Sequence, residues 1–251
     1  MNAAKTSKLL SSIQVLVSSV LALFIAGGLY LAYKAGSGNI LSYIQNIFPE
    51  IAIIFGTLTP ALILRIKHRS QVPEGYLLPL FLLLLSLQTT RMMPEIFQYT
   101  NISLISLPRL EAGEHFFFMA SYVVLLFAAT QNMKNINTSK TGGYVVISLI
   151  SVLIIACIIP SNSNPDIKNV HDSVFNMLVF LILAAAVLTY LVSFIADKET
   201  YHLKRFLTFL FLSAGDYLIM TFDGDIAVSL TGTLFFLTGA VMLSAVSPKG
   251  Y

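Results

Sequence analysis

The chain has 251 residues, 56% of them hydrophobic and only 11% charged, with a mean hydropathy of +0.81 and a net charge of +3. An average soluble domain carries about 25% charged residues, so this chain cannot solvate the surface of a water-soluble fold, and a soluble enzyme, a disordered chain and a nucleic-acid partner are excluded. The single cysteine, Cys157, excludes a disulfide framework, a cysteine-ligated zinc site and a CxxC redox pair. What remains is an all-α integral membrane protein, with the lipid bilayer as its first partner.

A bilayer-spanning helix needs about 20 mostly apolar residues. Eight such runs occur, at 9–33, 47–65, 76–97, 115–131, 143–160, 173–195, 205–222 and 226–246. The fourth and fifth are short. None alternates with period two, as a transmembrane β-barrel would. The longest connection, 97–114, leaves no room for a soluble domain. Residues 1–251 therefore read as one polytopic membrane domain.

The first run follows Lys5 and Lys8. Its apolar stretch exceeds the roughly 7–15 residues of a signal-peptide core, and no clean cleavage site follows, so a retained helix is expected. The second run contains Gly56-Thr57-Leu58-Thr59-Pro60. Proline removes a donor and kinks a helix there, and the threonines can bond the freed carbonyls.

Ionisable groups at membrane depth are costly, and each is a site hypothesis. In the third run Gln88, Arg91, Glu95 and Gln98 follow i, i+3, i+7, i+10, one helical face. Arg91 lies 15 residues past Tyr76, roughly 22 Å along the helix and well toward its outer end. Arg91 and Glu95 are spaced to pair. The alternative is a rim pair with the arginine reaching outward.

The fourth run opens with Glu111-Ala-Gly-Glu114-His115, and Glu111, His115, Phe118 and Tyr122 share a face. A carboxylate beside a histidine orients it and supports metal binding or acid–base work. The two acids would also sit well at a helix N-terminus. In the sixth run His171, Asp172 and Asn176 give a weaker signal. In the seventh, Asp216 stands about midway through the bilayer. It must be protonated, paired or facing water, and Arg91 is its natural partner. Asp223-Gly224-Asp225 makes a tight antiparallel turn into the last run. Its two carboxylates are too few for a calcium site. Gly232, Gly239, Ala240 and Ser244 suit close helix packing, within the chain or against a second copy or partner membrane subunit. His68 and His202, among basic residues, read as solvated.

Two patterns are global. With the N-terminus inside, Lys5, Lys8, Arg65, Lys67, Arg69, Lys134, Lys140, Lys198, Lys204, Arg205 and Lys249 fall inside, eleven in all. Lys34, Arg91, Arg109 and Lys168 fall outside, which is four. Eleven against four follows the positive-inside rule for an even number of spans with both termini cytoplasmic. Nine of the twelve acids fall in the outer half or outer loops, which points to an outer vestibule that attracts cations; the alternative is a solvated acidic rim. Second, FLLLLS ending at Ser86 and FLFLS ending at Ser213 are offset by 127 residues, a weak echo of the repeated halves common in transporters.

Enzyme motifs are poor. Ala35-Gly36-Ser37-Gly38 has no histidine at matching depth, and no lysine sits within a span to form a retinal Schiff base. The segment from Phe209 to Leu243, with Ser213-Ala-Gly-Asp216-Tyr-Leu, locally resembles the S-x-x-G-D-x-L segment of the lysoplasmalogenase-like membrane family. The serine here stands one residue closer to the Gly-Asp pair, and no second acidic segment follows, so the resemblance carries over no activity.

The expected function is that of a small transporter-like protein in the plasma (inner) membrane. Its outward-facing polar pocket would use Arg91, Glu95, Glu111, His115 and Asp216 to bind a small cation or polar solute. Asp216 would be the protonatable or cation-binding group and Arg91 its counter-ion. The alternatives are a membrane-embedded sensor or accessory subunit, and a membrane enzyme acting on lipid with Asp216 or His115 as acid–base. No catalytic residue, cofactor or metal is assigned from the sequence.

Overall fold

The computed structural model of the chain describes residues 3–66, 74–100, 106–131, 133, 141–159, 173–222 and 225–245. Apolar segments that cannot hand their backbone groups to water close the hydrogen bonds within themselves, and the described residues are helical almost throughout. The helices are α1 Ala3–Ala35, α2 Ser37–Ile66, α3 Leu77–Gln88, α4 Met93–Thr100, α5 Leu107–Thr130, α6 Thr141–Ile158, α7 Ser173–Asp197, α8 Thr200–Thr221 and α9 Ile226–Ala245. A 3-10 turn, Thr89–Met92, joins α3 to α4 in one continuous rod. The described residues thus form eight rods, one for each apolar run.

Among the described residues five segments are long and apolar enough to cross a membrane: Lys8–Lys34, Pro108–Thr130, Thr141–Ile158, Val174–Asp197 and Ile226–Ala245. The apolar parts of α2 and of the α3 rod, Ile47–Ile63 and Leu77–Met92, are shorter. Within α8, Lys204, Arg205 and Asp216 interrupt the apolar run. Two helices start well ahead of expectation: α2 ten residues before 47, and α5 eight residues before 115. Ser106 is extended at its N-cap, and Pro108 stands at the first helical positions, where its fixed φ suits a helix start. α2 continues through both Pro49 and Pro60 as a single helix. Its threonine hydroxyls bond the carbonyls of Ile53, Ile54 and Phe55.

Packing runs in a closed cycle: α2 on α3, α3 on α5, α5 on α7, α7 on α8, α8 on α9 and α9 back on α2. α1 lies against α2 and α3, and α6 lies mainly on α5. Across the middle of the cycle α3 and α8 meet. Glu74, just ahead of α3, binds Arg205. The rings of Phe81 and Phe209 are 6.2 Å apart, and Arg91 reaches the Ile219 carbonyl at 3.4 Å. The partners rise together in number, so the two helices run parallel. Their separations, 131 for Glu74–Arg205 and 128 for Arg91–Ile219, lie close to the offset of the FLLLLS and FLFLS segments. The rods α2, α3 and α5 hold the same places in the cycle as α7, α8 and α9; α1 and α6 do not match in this way.

Glycines set the tightest interface. A Cβ on Gly215 would stand 2.3 Å from the Phe236 backbone nitrogen, and one on Gly239 would stand 2.4 Å from that of Leu212. The backbones of α8 and α9 touch only because those Cβ atoms are missing. The small residues of α9 are therefore used inside the chain, with Phe236 and Ala240 also meeting Gly56 of α2. The outward surface is the reverse of a soluble protein's: Leu23, Ile158, Val174 and Val241 are exposed, whereas Glu50, Glu74, Arg205 and Asp216 are buried.

Candidate functional site

The α8 helix carries Asp216 into the centre of the bundle, 0% exposed. Its Oδ2 accepts a hydrogen bond from the Tyr122 hydroxyl of α5 at 2.8 Å, and that hydroxyl also lies 3.3 Å from the Ser213 carbonyl. Gln88, on the last turn of α3, donates to Ser121 Oγ at 3.0 Å. One turn on, the Arg91 guanidinium contacts Glu50 Oε1 of α2 at 2.5 Å and reaches the Ile219 carbonyl of α8. Through the Ile219 carbonyl Arg91 meets α8 one turn beyond Asp216. Four rods thus converge on three charged groups, Glu50, Arg91 and Asp216.

This corrects the expected pairing. Arg91 is bound to Glu50, 41 residues upstream, and Asp216 is held by a phenol. The 3-10 turn is the cause. At three residues per turn it rotates the next part of the rod out of α-helical register. Arg91, inside that turn, is aimed between α2 and α8. Glu95 lies on α4, one turn beyond Arg91; its side chain is outside the described residues.

The face expected on α5 is present. Glu111, His115, Phe118 and Tyr122 are all buried along it. The His115 ring meets Phe175 of α7 edge-on at 4.7 Å. Phe118 meets Tyr122 at 5.4 Å and stacks on Tyr217 of α8 at 6.1 Å. The face leads from Glu111 to the Asp216 cluster, and His115 lies seven residues, about 10 Å, from Tyr122. Capping does not account for the acids. Because α5 starts at Leu107, no acid is in its first turn, and Glu111 and Glu114 are buried within the helix.

A second buried charge cluster has almost no signature in the sequence. Arg205 and Glu74, expected on the inner rim, form a two-pronged ion pair, with Nε at 2.7 Å from Oε1 and Nη2 on Oε2. Arg205 is 2% exposed and Glu74 0%. The Tyr190 hydroxyl donates to Glu74 at 3.3 Å, and Arg205 Nη1 donates to Tyr201 at 2.6 Å. The only sequence signal is the i, i+4 spacing of Tyr201 and Arg205, which sets the guanidinium over the ring. His202, expected to be solvated, lies 3.4 Å from Asp197. Asp225 caps α9, accepting from the backbone N–H of Ala227 and Val228. His68, His171, Asp172, Asp223 and Gly224 lie outside the described residues. Among the described residues no group of three or more His, Cys, Asp or Glu could hold a metal ion.

Comparison of the chain with protein-family models, with curated proteins and with solved structures gives no match.

Proposed function

We propose that the chain is an eight-span, transporter-like membrane protein with both termini cytoplasmic, multi-pass in the plasma (inner) membrane, and that it binds a proton or small cation at Asp216. The observation that carries this reading is the grouping of Glu50, Arg91 and Asp216 deep in the bundle. Among the described residues two carboxylates share one guanidinium, which favours a further positive charge. In a low-dielectric interior such a deficit is costly, and a proton or cation removes it. Arg91, bound to Glu50, fixes the electrostatic frame, and Asp216, held by Tyr122, receives the ion. Glu111 and His115 line the approach from the outer side in this reading.

Orientation rests on charge counts. Setting aside the bundle-bound Arg91 and Arg205, the inside keeps 11 − 1 = 10 basic residues and the outside 4 − 1 = 3. The bias survives the correction. The complete burial of Asp216 favours an ion over a lipid headgroup.

The test is flux in proteoliposomes loaded with a pH-sensitive dye. Sodium or potassium pulses, or an imposed pH gradient, should move protons or cations faster than in empty vesicles. Asp216→Asn should remove that flux, and Tyr122→Phe should reduce it. Wild-type flux no greater than that of empty vesicles, or full flux through Asp216→Asn, would overturn the proposal.

A further inference from the structure

One hydrogen beside Asp216 has two places to go. The Tyr122 hydroxyl lies 2.8 Å from Asp216 Oδ2 and 3.3 Å from the carbonyl of Ser213, three residues earlier on α8. A phenol has one hydrogen to donate and lone pairs to accept with. The shorter contact has the length of a full O–H···O bond, and the longer one does not. The hydrogen therefore points at the carboxylate, and the carbonyl is a second acceptor within a rotation of the O–H. Tyr122 and Asp216 are both fully buried.

The two carboxylate oxygens differ. Oδ1 is buried with no hydrogen-bond partner among the described residues, whereas Oδ2 faces the phenol oxygen. A proton added to Oδ1 would have no acceptor. A proton added to Oδ2 would donate to the Tyr122 oxygen, which then turns its own hydrogen to the Ser213 carbonyl. The carboxylate becomes a neutral acid, the phenol stays neutral, and the new O–H is the only covalent bond formed. A calcium-sized metal cation instead gathers about six to eight oxygens. Here Oδ2 would meet it with a donor hydrogen already in place.

The ionisable groups around Asp216 are consistent with this exchange. They are Tyr122 and, seven residues farther out on α5, His115; Tyr217 beside it on α8; and Arg91, which reaches α8 at Ile219 with Glu50 of α2 on its other side. Residues 173–189 of α7 and all of α9 carry no ionisable side chain. With Asp216 neutral, Arg91 and Glu50 are left as a balanced pair.

We propose that the ion taken up by Asp216 is a proton, held on Oδ2, and that Tyr122 is a hydroxyl switch, donating to the carboxylate when Asp216 is charged and to the Ser213 carbonyl when it is protonated. The proposal rests on the reading of Asp216 as the ion-binding group and narrows it.

The test is infrared difference spectroscopy of the full chain in lipid vesicles, stepped in pH. A protonated-carboxyl C=O band should appear as pH falls, shift when the aspartate side-chain carboxyls carry carbon-13, and be absent from Asp216→Asn. Its midpoint should be the same in sodium, potassium and choline chloride. In Tyr122→Phe the band should persist at a changed frequency, because the acid has lost its acceptor. Labelling needs no variant, so the band can be assigned to aspartate even if Asp216→Asn does not fold, and its slow shift in heavy water marks the buried acid. A wild type with no such band would overturn the proposal. So would a midpoint moved by sodium or potassium, which would put a metal cation at the carboxylate and leave the broader reading of Asp216 standing. An unchanged frequency in Tyr122→Phe would overturn the switch. Loss of Asp216-dependent flux in proteoliposomes is a separate readout and bears on the broader reading alone.

Discussion

The Arg91 guanidinium is bound to Glu50, one helix away in the packing and 41 residues upstream, and also reaches the Ile219 carbonyl, one turn beyond Asp216 on α8. That arrangement makes Arg91 and Glu50 a unit. Removing one partner of a buried pair leaves the other uncompensated, at about 3–5 kcal/mol in soluble proteins. Thermal unfolding in detergent should show Arg91→Gln strongly destabilising, since Glu50 and Asp216 are left without their guanidinium, and Glu50→Gln less so, since Asp216 still balances Arg91; the double variant should cost clearly less than the sum. Strict additivity would show that the two are not coupled.

At the opposite end of α3 the same logic applies to Glu74 and Arg205, with a difference in partners. Glu74→Gln should cost about 3–5 kcal/mol, because Arg205 loses its two-pronged carboxylate and keeps the neutral Tyr201 hydroxyl. Tyr190→Phe removes one long hydrogen bond of 3.3 Å and should cost only about 1 kcal/mol. Chemical unfolding of both variants would check the ratio. Equal losses would mean that Tyr190 carries more of the cluster than its geometry implies.

Glycine substitutions should separate helix contact from helix propensity. Gly215→Ala and Gly239→Ala push a methyl into backbone atoms of the facing helix and should each cost about 1–3 kcal/mol or more. Gly27→Ala meets nothing within 4 Å and should be neutral or stabilising by up to about 1 kcal/mol. Melting temperatures of the three variants, measured side by side, would decide it.

Topology can be read directly. Reporter fusions at His68, Lys140 and Lys249 should register cytoplasmic, and fusions at Asn101 and Pro165 should register outside. An outside signal at Lys249 would contradict an even number of spans.

Much of the architecture is readable from hydropathy, because a helix that must satisfy its own backbone declares itself by length and composition alone. Each of the eight apolar runs overlaps one of the eight rods, and the α5 face through Glu111, His115, Phe118 and Tyr122 comes from a 3.6-residue period that α5 obeys without interruption. Asp216 stands out because a carboxyl inside an apolar run has few cheap explanations.

The pairings are not readable. Which carboxylate meets Arg91 depends on a four-residue 3-10 turn that changes the direction of one side chain, and nothing in Thr89–Met92 announces it. The α5 start depends on Pro108 and Ser106, whose effect is hidden by the polar residues after them. Arg205 and Glu74 look like rim residues because each stands at the edge of an apolar run. Only the parallel contact of α3 with α8 brings them together and away from water. Span positions follow from local composition, whereas charge partners follow from which helices become neighbours. Long-range packing decides the second, and for Gly215 and Gly239 it does so through the absence of single methyl groups.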